Sequence, residues 1–559
     1  MKFSLPLCSA LSLVSICSMG SGFAQAKKTQ PYNILWLSCE DLTPLMGAYG
    51  HPEIQTPNID RLAREGITYT NAFATVGVSA PSRSSIITGM YPVAIGSHNM
   101  RTGDHWGYKE PERESYSTNT RIKDLTGCTL PEYSVVTPVG VKCFTEYLRA
   151  AGYFCTNNPK CDYQFACPIS AWDEVGDKAS CQNRREGQPF FAVYNLGVTH
   201  ESQIWKKKND PMLMDTSKVV VPAYFPNIPV VRQDVARKYS NVMELDRQIG
   251  EYLDKLEKEG LLERTIIFFW SDHGGPLLRE KRAVGNSGLR VPLVVRFPEK
   301  KMAGTRVEEI VSLMDLGPTV MSLAGLEPPA YMHGKAFLGG NKSKVPHQYA
   351  FGSADRFDET TDRSRSVIDG RFVYIRNFLP QLPYVYRNNY REQIDMTREL
   401  LAMNSRGELQ GDAAYIFMES RPVEELYDLT TDPYEVHNLA GNPKFREKLL
   451  ELRVALGAWQ LEVGDKGFIP EYDLIQMMWP GFVQPQTSPV QFRRVAGRKV
   501  ELFNDTPGSS FVYRIEGEGG SVRWQLYTTP LTLPKGSKVT ARACRIGFKT
   551  SEEFSYLVE

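Results

Sequence analysis

The sequence predicts an α/β protein: a largely parallel sheet sandwiched by helices, followed by smaller β-rich parts. Three observations carry that expectation. Short apolar runs such as Asn33-Ile34-Leu35-Trp36-Leu37 and Thr265-Ile266-Ile267-Phe268-Phe269-Trp270 are bounded by polar residues, as strands buried on both faces are. Helical stretches alternate with these runs. In residues 235–259, Tyr239, Val242, Leu245, Ile249, Leu253 and Leu256 recur at intervals of three and four. From about residue 490 the texture changes to short alternating runs with turns at Pro507-Gly508 and Pro534-Lys535-Gly536, which predicts a small β-sandwich.

Taken in order, residues 1–26 read as a signal peptide. Lys2 precedes an apolar stretch to about Met19, and Ala24-Gln25-Ala26 is a small-x-small cleavage site. Export to the periplasm or medium follows. Cys17 would be the alternative, as a lipoprotein acylation site, although Ile16 stands where a small residue is usual. The strand at 33–37 delivers Glu40-Asp41 from its C-terminal end, and the strand at 265–270 delivers Asp272-His273. Sites in open α/β sheets gather beyond the carboxyl ends of strands, so two strands each ending in a ligand pair suit one site. Carboxylates with a single imidazole favour Ca²⁺ or Mg²⁺ over zinc or copper. Further strands are expected at 189–194 and 292–297, and a long surface excursion at 98–140. Of ten cysteines, six cluster in 128–181, where an exported chain is expected to form one or two local bridges.

Between those ligand pairs lies Ser79-Ala80-Pro81-Ser82-Arg83, leading into Ser84-Ser85-Ile86-Ile87. A helix start here would present backbone N–H groups to an anion. A serine hydroxyl is a poor nucleophile near neutral pH without activation. The stretch resembles the core signature of the formylglycine-dependent sulfatases, serine type. That resemblance implies oxidation of Ser79 to formylglycine by a serine-type maturating enzyme. The aldehyde hydrate then attacks sulfur and expels sulfate by regenerating the aldehyde.

The same resemblance assigns the remaining roles. Glu40, Asp41, Asp272, His273 and the modified Ser79 would bind Ca²⁺ or Mg²⁺, with Glu40 replacing the commoner aspartate. Lys160 and Lys281 would contact sulfate beside Arg83, and His200 would protonate the leaving oxygen. Asp162 stands where the family usually has a histidine, and Gly197 where it has the earlier member of a His-x-x-His pair. Asp355-Arg356-Phe357-Asp358 departs from the more histidine-rich stretch of sulfamidases. From their chemistry Asp355 and Arg356 would hydrogen-bond a sugar, with His98 and Arg101 lining the same pocket; the alternative for all four is a surface ion-pair network. The implied fold is alkaline-phosphatase-like, with a signal peptide (1–26), a catalytic domain (27–375), a C-terminal subdomain (376–485) and a β module (486–559). Glu425-Leu426-Tyr427-Asp428-Leu429 marks the subdomain, and the module resembles that of chitobiase-type glycosidases. Val221-Pro222-Ala223-Tyr224-Phe225-Pro226-Asn227 and residues 425–463 are most similar to the sulfamidase, heparan N-sulfatase-like branch.

Net charge is +1, so no global field attracts nucleic acid, and no internal apolar run is long enough to span a bilayer. The expected function is removal of an O-sulfate ester from a sulfated glycan, at a terminal sugar. Three alternatives stay open: sulfamate cleavage at glucosamine, phosphate or phosphonate hydrolysis, and sulfated-glycan binding without turnover.

Overall fold

A computed structural model describes residues 31–102, 122–496, 499–516 and 521–558. The expected signal peptide lies outside them, as do residues 103–121 of the expected surface excursion. Nine strands form the principal sheet: β1 (Asn33–Cys39), β2 (Ile67–Phe73), β3 (Phe154–Asn158), β4 (Glu174–Val175), β5 (Phe190–Leu196), β6 (Thr265–Ser271), β7 (Arg290–Arg296), β8 (Thr305–Val307) and β9 (Val311–Ser312). Their order is β4-β3-β5-β1-β6-β7-β2-β8, with β9 also on β2. β1 lies between β5 and β6 and is parallel to both, whereas β7 runs antiparallel to β6 and β2.

The evenly apolar strands are explained by two cores, one on each face of this sheet. Ile34, Trp36, Ile266, Phe268 and Trp270 point into one, and Leu35, Leu37, Ile267 and Phe269 into the other. Beneath the strand ends, Trp36 and Trp270 meet edge to face at 5.2 Å, with Phe144 and Phe191 beside them. Helix α1 (Ser79–Thr88), buried along its whole length, covers the first face. Helix α2 (Pro229–Lys258) covers the second with the six predicted apolar residues. It begins six residues earlier than the apolar period because Pro229, with its fixed φ and missing N–H, suits a helix start.

A second, antiparallel sheet follows: β10 (Ala350–Phe357), β11 (Thr360–Ile368), β12 (Phe372–Asn377) and β13 (Glu424–Asp428). Val367, Tyr374 and Leu426 pack on helix α3 (Arg446–Val463) through Leu452, Leu456 and Trp459, while Ile368, Val373 and Tyr427 join the principal core. After residue 490 the chain forms a three-stranded and a four-stranded antiparallel sheet. Lys142 Nζ to Ser510 Oγ (2.6 Å) and Arg149 to the Trp524 carbonyl (3.0 Å) join this part to the principal core's flank.

Two expectations are corrected. Residues 130–135 do not run over the surface: Leu130, Tyr133, Ser134 and Val135 are buried, and Tyr133 Oη donates to Glu471. The cysteines of 128–181 are free thiols, as are Cys39 and Cys544. Cys143, Cys155, Cys161 and Cys167 instead fill the core as small apolar residues. Among the described residues no helix is long and apolar enough to cross a membrane.

Candidate active site at the ends of two parallel strands

The adjacent, in-register ends of β1 and β6 bring Glu40-Asp41 against Asp272-His273. Backbone bonds stitch them together: Asp272 N donates to the Cys39 carbonyl and Leu42 N to the His273 carbonyl, both at 3.2 Å. Asp41 turns with φ +50°, a left-handed conformation rare for a residue with a side chain and recurrent at functional sites. Asp162 (φ +49°) and Arg282 (φ +72°) share it.

Ser79 opens α1 with its Oγ 3.3 Å from His273 Nε2, and the Asp272 carbonyl accepts from Ser82 Oγ at 2.5 Å. His273 Nε2 is 3.1 Å from Asp41 Oδ1 and 3.8 Å from Asp272 Oδ1. Arg83 Nε donates to Asp272 (3.0 Å) and Arg83 Nη1 to Asn195 (2.7 Å). Lys281 reaches Asp41 at 2.6 Å. Lys160 bridges Glu40 (2.9 Å) and Asp162 (3.0 Å), and His200 Nε2 lies 3.7 Å from Glu40. Asp41, Asp272 and His273 are completely buried.

Burial alone would raise these carboxyls. Lys160 outweighs it at Glu40, Lys281 at Asp41, and His273 with Arg83 at Asp272, so all three sit below the usual carboxylate range. The lysines are raised in return, against the opposing effect of burial. Burial, then Lys281, holds His200 below its ordinary value.

The residues fit a divalent cation. Asp41, Asp272 and His273 converge, as do Glu40, Asp41 and His200. Asp41 Oδ1 is wholly buried and lacks a hydrogen-bond partner. His273 Nδ1 lies 3.0 Å from the Gly274 carbonyl, which in the neutral ring keeps the proton there and turns the Nε2 lone pair toward the two carboxylates. An imidazole lone pair and carboxylate oxygens facing one another are a donor set for a cation.

Arg101 is also brought to this edge, paired with Asp162. His98, Asp355 and Arg356 are not. Arg356 is fully buried and holds Glu471 through two nitrogens, at 2.5 and 2.8 Å. Asp355 is buried against Arg365 at 3.1 Å. His98 is 2% exposed, and burial followed by Arg365 pushes its imidazole down to about 4. Arg356 and, through Arg365, Asp355 join the second sheet to the C-terminal residues Glu471 and Asp465, and all three side chains, with that of His98, are buried. Glu201 and Arg282 were missed. Buried Glu201 takes two bonds from Arg282 (3.0 and 3.1 Å) and lies 3.7 Å from Lys281, and its amide donates to Asp41 (2.6 Å). The available signal was adjacency: each directly follows a residue singled out in the sequence.

The family model for sulfatases matches residues 32–326. An ulvan-active sulfatase of Formosa agariphila is 39% identical, covering 95% of this chain and 92% of its own. Human N-sulphoglucosamine sulphohydrolase is 27% identical over 83% of this chain and 95% of its own. A protein solved in complex with its substrate D-glucosamine-2-N,6-O-disulfate shares the fold at 18% identity, with a TM-score of 0.52 over 79% of this chain and 99% of that one. A match of this extent to the model, with a relative this close along nearly the whole chain, means that the chain belongs to the sulfatase family and is a sulfuric ester hydrolase.

Proposed function

We propose that this sulfatase removes O-sulfate from a sulfated polysaccharide, using a formylglycine formed at Ser79 and a bound Ca²⁺ or Mg²⁺. One observation carries the reading: Ser79 Oγ meets the carboxylate–imidazole set on one side, and Lys160, Lys281 and Arg83 stand around the same point. The similarity to an ulvan-active sulfatase supports a polysaccharide substrate.

When present, the dication would supply Lewis-acid charge and the oxidised Ser79 the nucleophile. Lys160 and Lys281 would contact the sulfuryl oxygens, where fixed cations stabilise the charge that builds on cleavage. Arg83 holds Asp272 in place. His200 gives its proton to the departing sugar oxygen; a bound sulfate favours the imidazolium and offsets the depression caused by burial and Lys281. Asp162 anchors Lys160 and Arg101 where the family's histidine would stand.

Export through residues 1–26 and the division at 375 and 485 belong to the same reading. Its test is the mass of the Ser79 peptide from the native host. A peptide lighter by one H₂ supports the aldehyde, and unmodified serine in active protein overturns it. A second reading, sulfamate cleavage, rests on the similarity to N-sulphoglucosamine sulphohydrolase. Sulfate release from N-sulfated but not from O-sulfated glucosamine would select it.

A further inference from the structure

In the segment joining β12 to β13, the stretch before the helix at Asp395–Ser405 is held tightly against the active-site edge. Asn388 Nδ2 donates to Asp358 (3.1 Å) and Asn389 N to Glu359 (2.8 Å), both at the β10–β11 turn. The buried Arg391 donates to the Lys281 carbonyl (3.0 Å). Between these anchors stands Tyr390, 42% exposed. Its ring centre is 6.2 Å from that of His200 and 5.0 Å from that of Trp205, which meets it nearly at right angles (82°). Three anchors thus hold the backbone on either side of an exposed aromatic side chain that two neighbouring rings flank.

We infer that Tyr390, backed by Trp205, is the platform for the pyranose ring of the substrate and a determinant of specificity. The inference rests on the proposed glycan substrate. His200 faces the departing oxygen, so the sugar bearing that oxygen extends from His200, and Tyr390 is the next ring outward. A pyranose offers a face of C–H groups with partial positive charge, and the face of a tyrosine ring is negative. Ligand sites pair such aromatic walls with a few placed polar groups, and here the cation cluster is the polar part.

The test is calorimetric titration of the full-length Ser79→Ala chain with sulfated ulvan oligosaccharide, N-sulfated heparin disaccharide and inorganic sulfate. Tyr390→Leu keeps the bulk and loses the ring, whereas Tyr390→Phe keeps the ring. Leucine is expected to weaken the oligosaccharide that binds by about tenfold, and phenylalanine to stay within about twofold of the parent. Sulfate affinity should not change. Equal oligosaccharide affinity for leucine and parent, a parallel loss of sulfate affinity, or no binding of either oligosaccharide overturns the platform. Turnover by the Ser79 chain separates the two proposals: ring-dependent binding without sulfate release overturns the proposed function and leaves the platform standing.

Discussion

Arg83 and Arg356 are both buried arginines facing carboxylates, but they differ in what they leave over. Arg356 spends every nitrogen: two bond Glu471, and the carbonyls of Met100, Arg101 and Asp358 take the rest. Arg83 holds Asp272 and Asn195 with two nitrogens, and its Nη2 is buried without a hydrogen bond, 3.8 Å from Glu40. Asp41 Oδ1 nearby also lacks a hydrogen bond, whereas Asp162 Oδ2 is held by Lys160 Nζ at 3.0 Å. Unsatisfied buried polar atoms are costly, and Asp355 Oδ2 and His98 Nδ1 also lack a hydrogen bond. At Arg83 and Asp41 such atoms lie beside converging carboxylates and an imidazole, which suits the ligand site proposed above. The saturated arginine is suited to hold the fold, and the unsaturated one to the chemistry proposed above.

Mutation should separate the two clusters cleanly. Ser79→Ala is expected to lower kcat by about 10⁴-fold or more while leaving the melting temperature in place, as measured by sulfate release and thermal unfolding. Removal of the divalent ion with a chelator should abolish turnover and lower stability by about 3 kcal/mol when the ion had stood at a hundred times its Kd, with recovery on adding Ca²⁺ or Mg²⁺. Glu471→Gln should behave in the opposite way. Breaking a buried pair costs about 3–5 kcal/mol, read by chemical denaturation, with turnover per folded molecule little changed. A large kcat loss in that variant would erase the distinction.

The smallest effect is with pH. Burial raises Asp465, but hydrogen bonds and charge from Arg365 outweigh it and hold the carboxyl at about 2. A depressed acid contributes stability above its unfolded value and loses it as pH falls through the folded one. The contribution is about 2 kcal/mol, present at neutral pH and lost between roughly pH 4 and 2. Denaturation curves at pH 6 and pH 3 should differ by less in Asp465→Asn than in the parent.

That Glu40-Asp41, Asp272-His273 and Ser79 come together was legible because each lies at the end of a strand or the start of a helix, where apolar runs reveal the boundary. Likewise α2 showed its buried face through its period. Asp355 and Arg356 were misread because their residue types suit either role. The direction of their side chains is set by strand β10, whose register with β11 shifts between Ala354 and Arg356. No local pattern announces that shift. The place of Tyr390 beside His200 could not be read locally, because it depends on partners in other parts of the chain.

The bonds stitching β1 to β6 have a kinetic consequence. Cys39, Leu42, Asp272 and His273 lock both ligand pairs into the most deeply buried part of the sheet, so the pairs open only when that sheet opens. If these residues hold the proposed ion, a chain stripped of it keeps them in place. Reloading should proceed at the speed of ion encounter and dehydration, with no refolding phase, and the Leu42 and Asp272 amides should be among the last to exchange with deuterium.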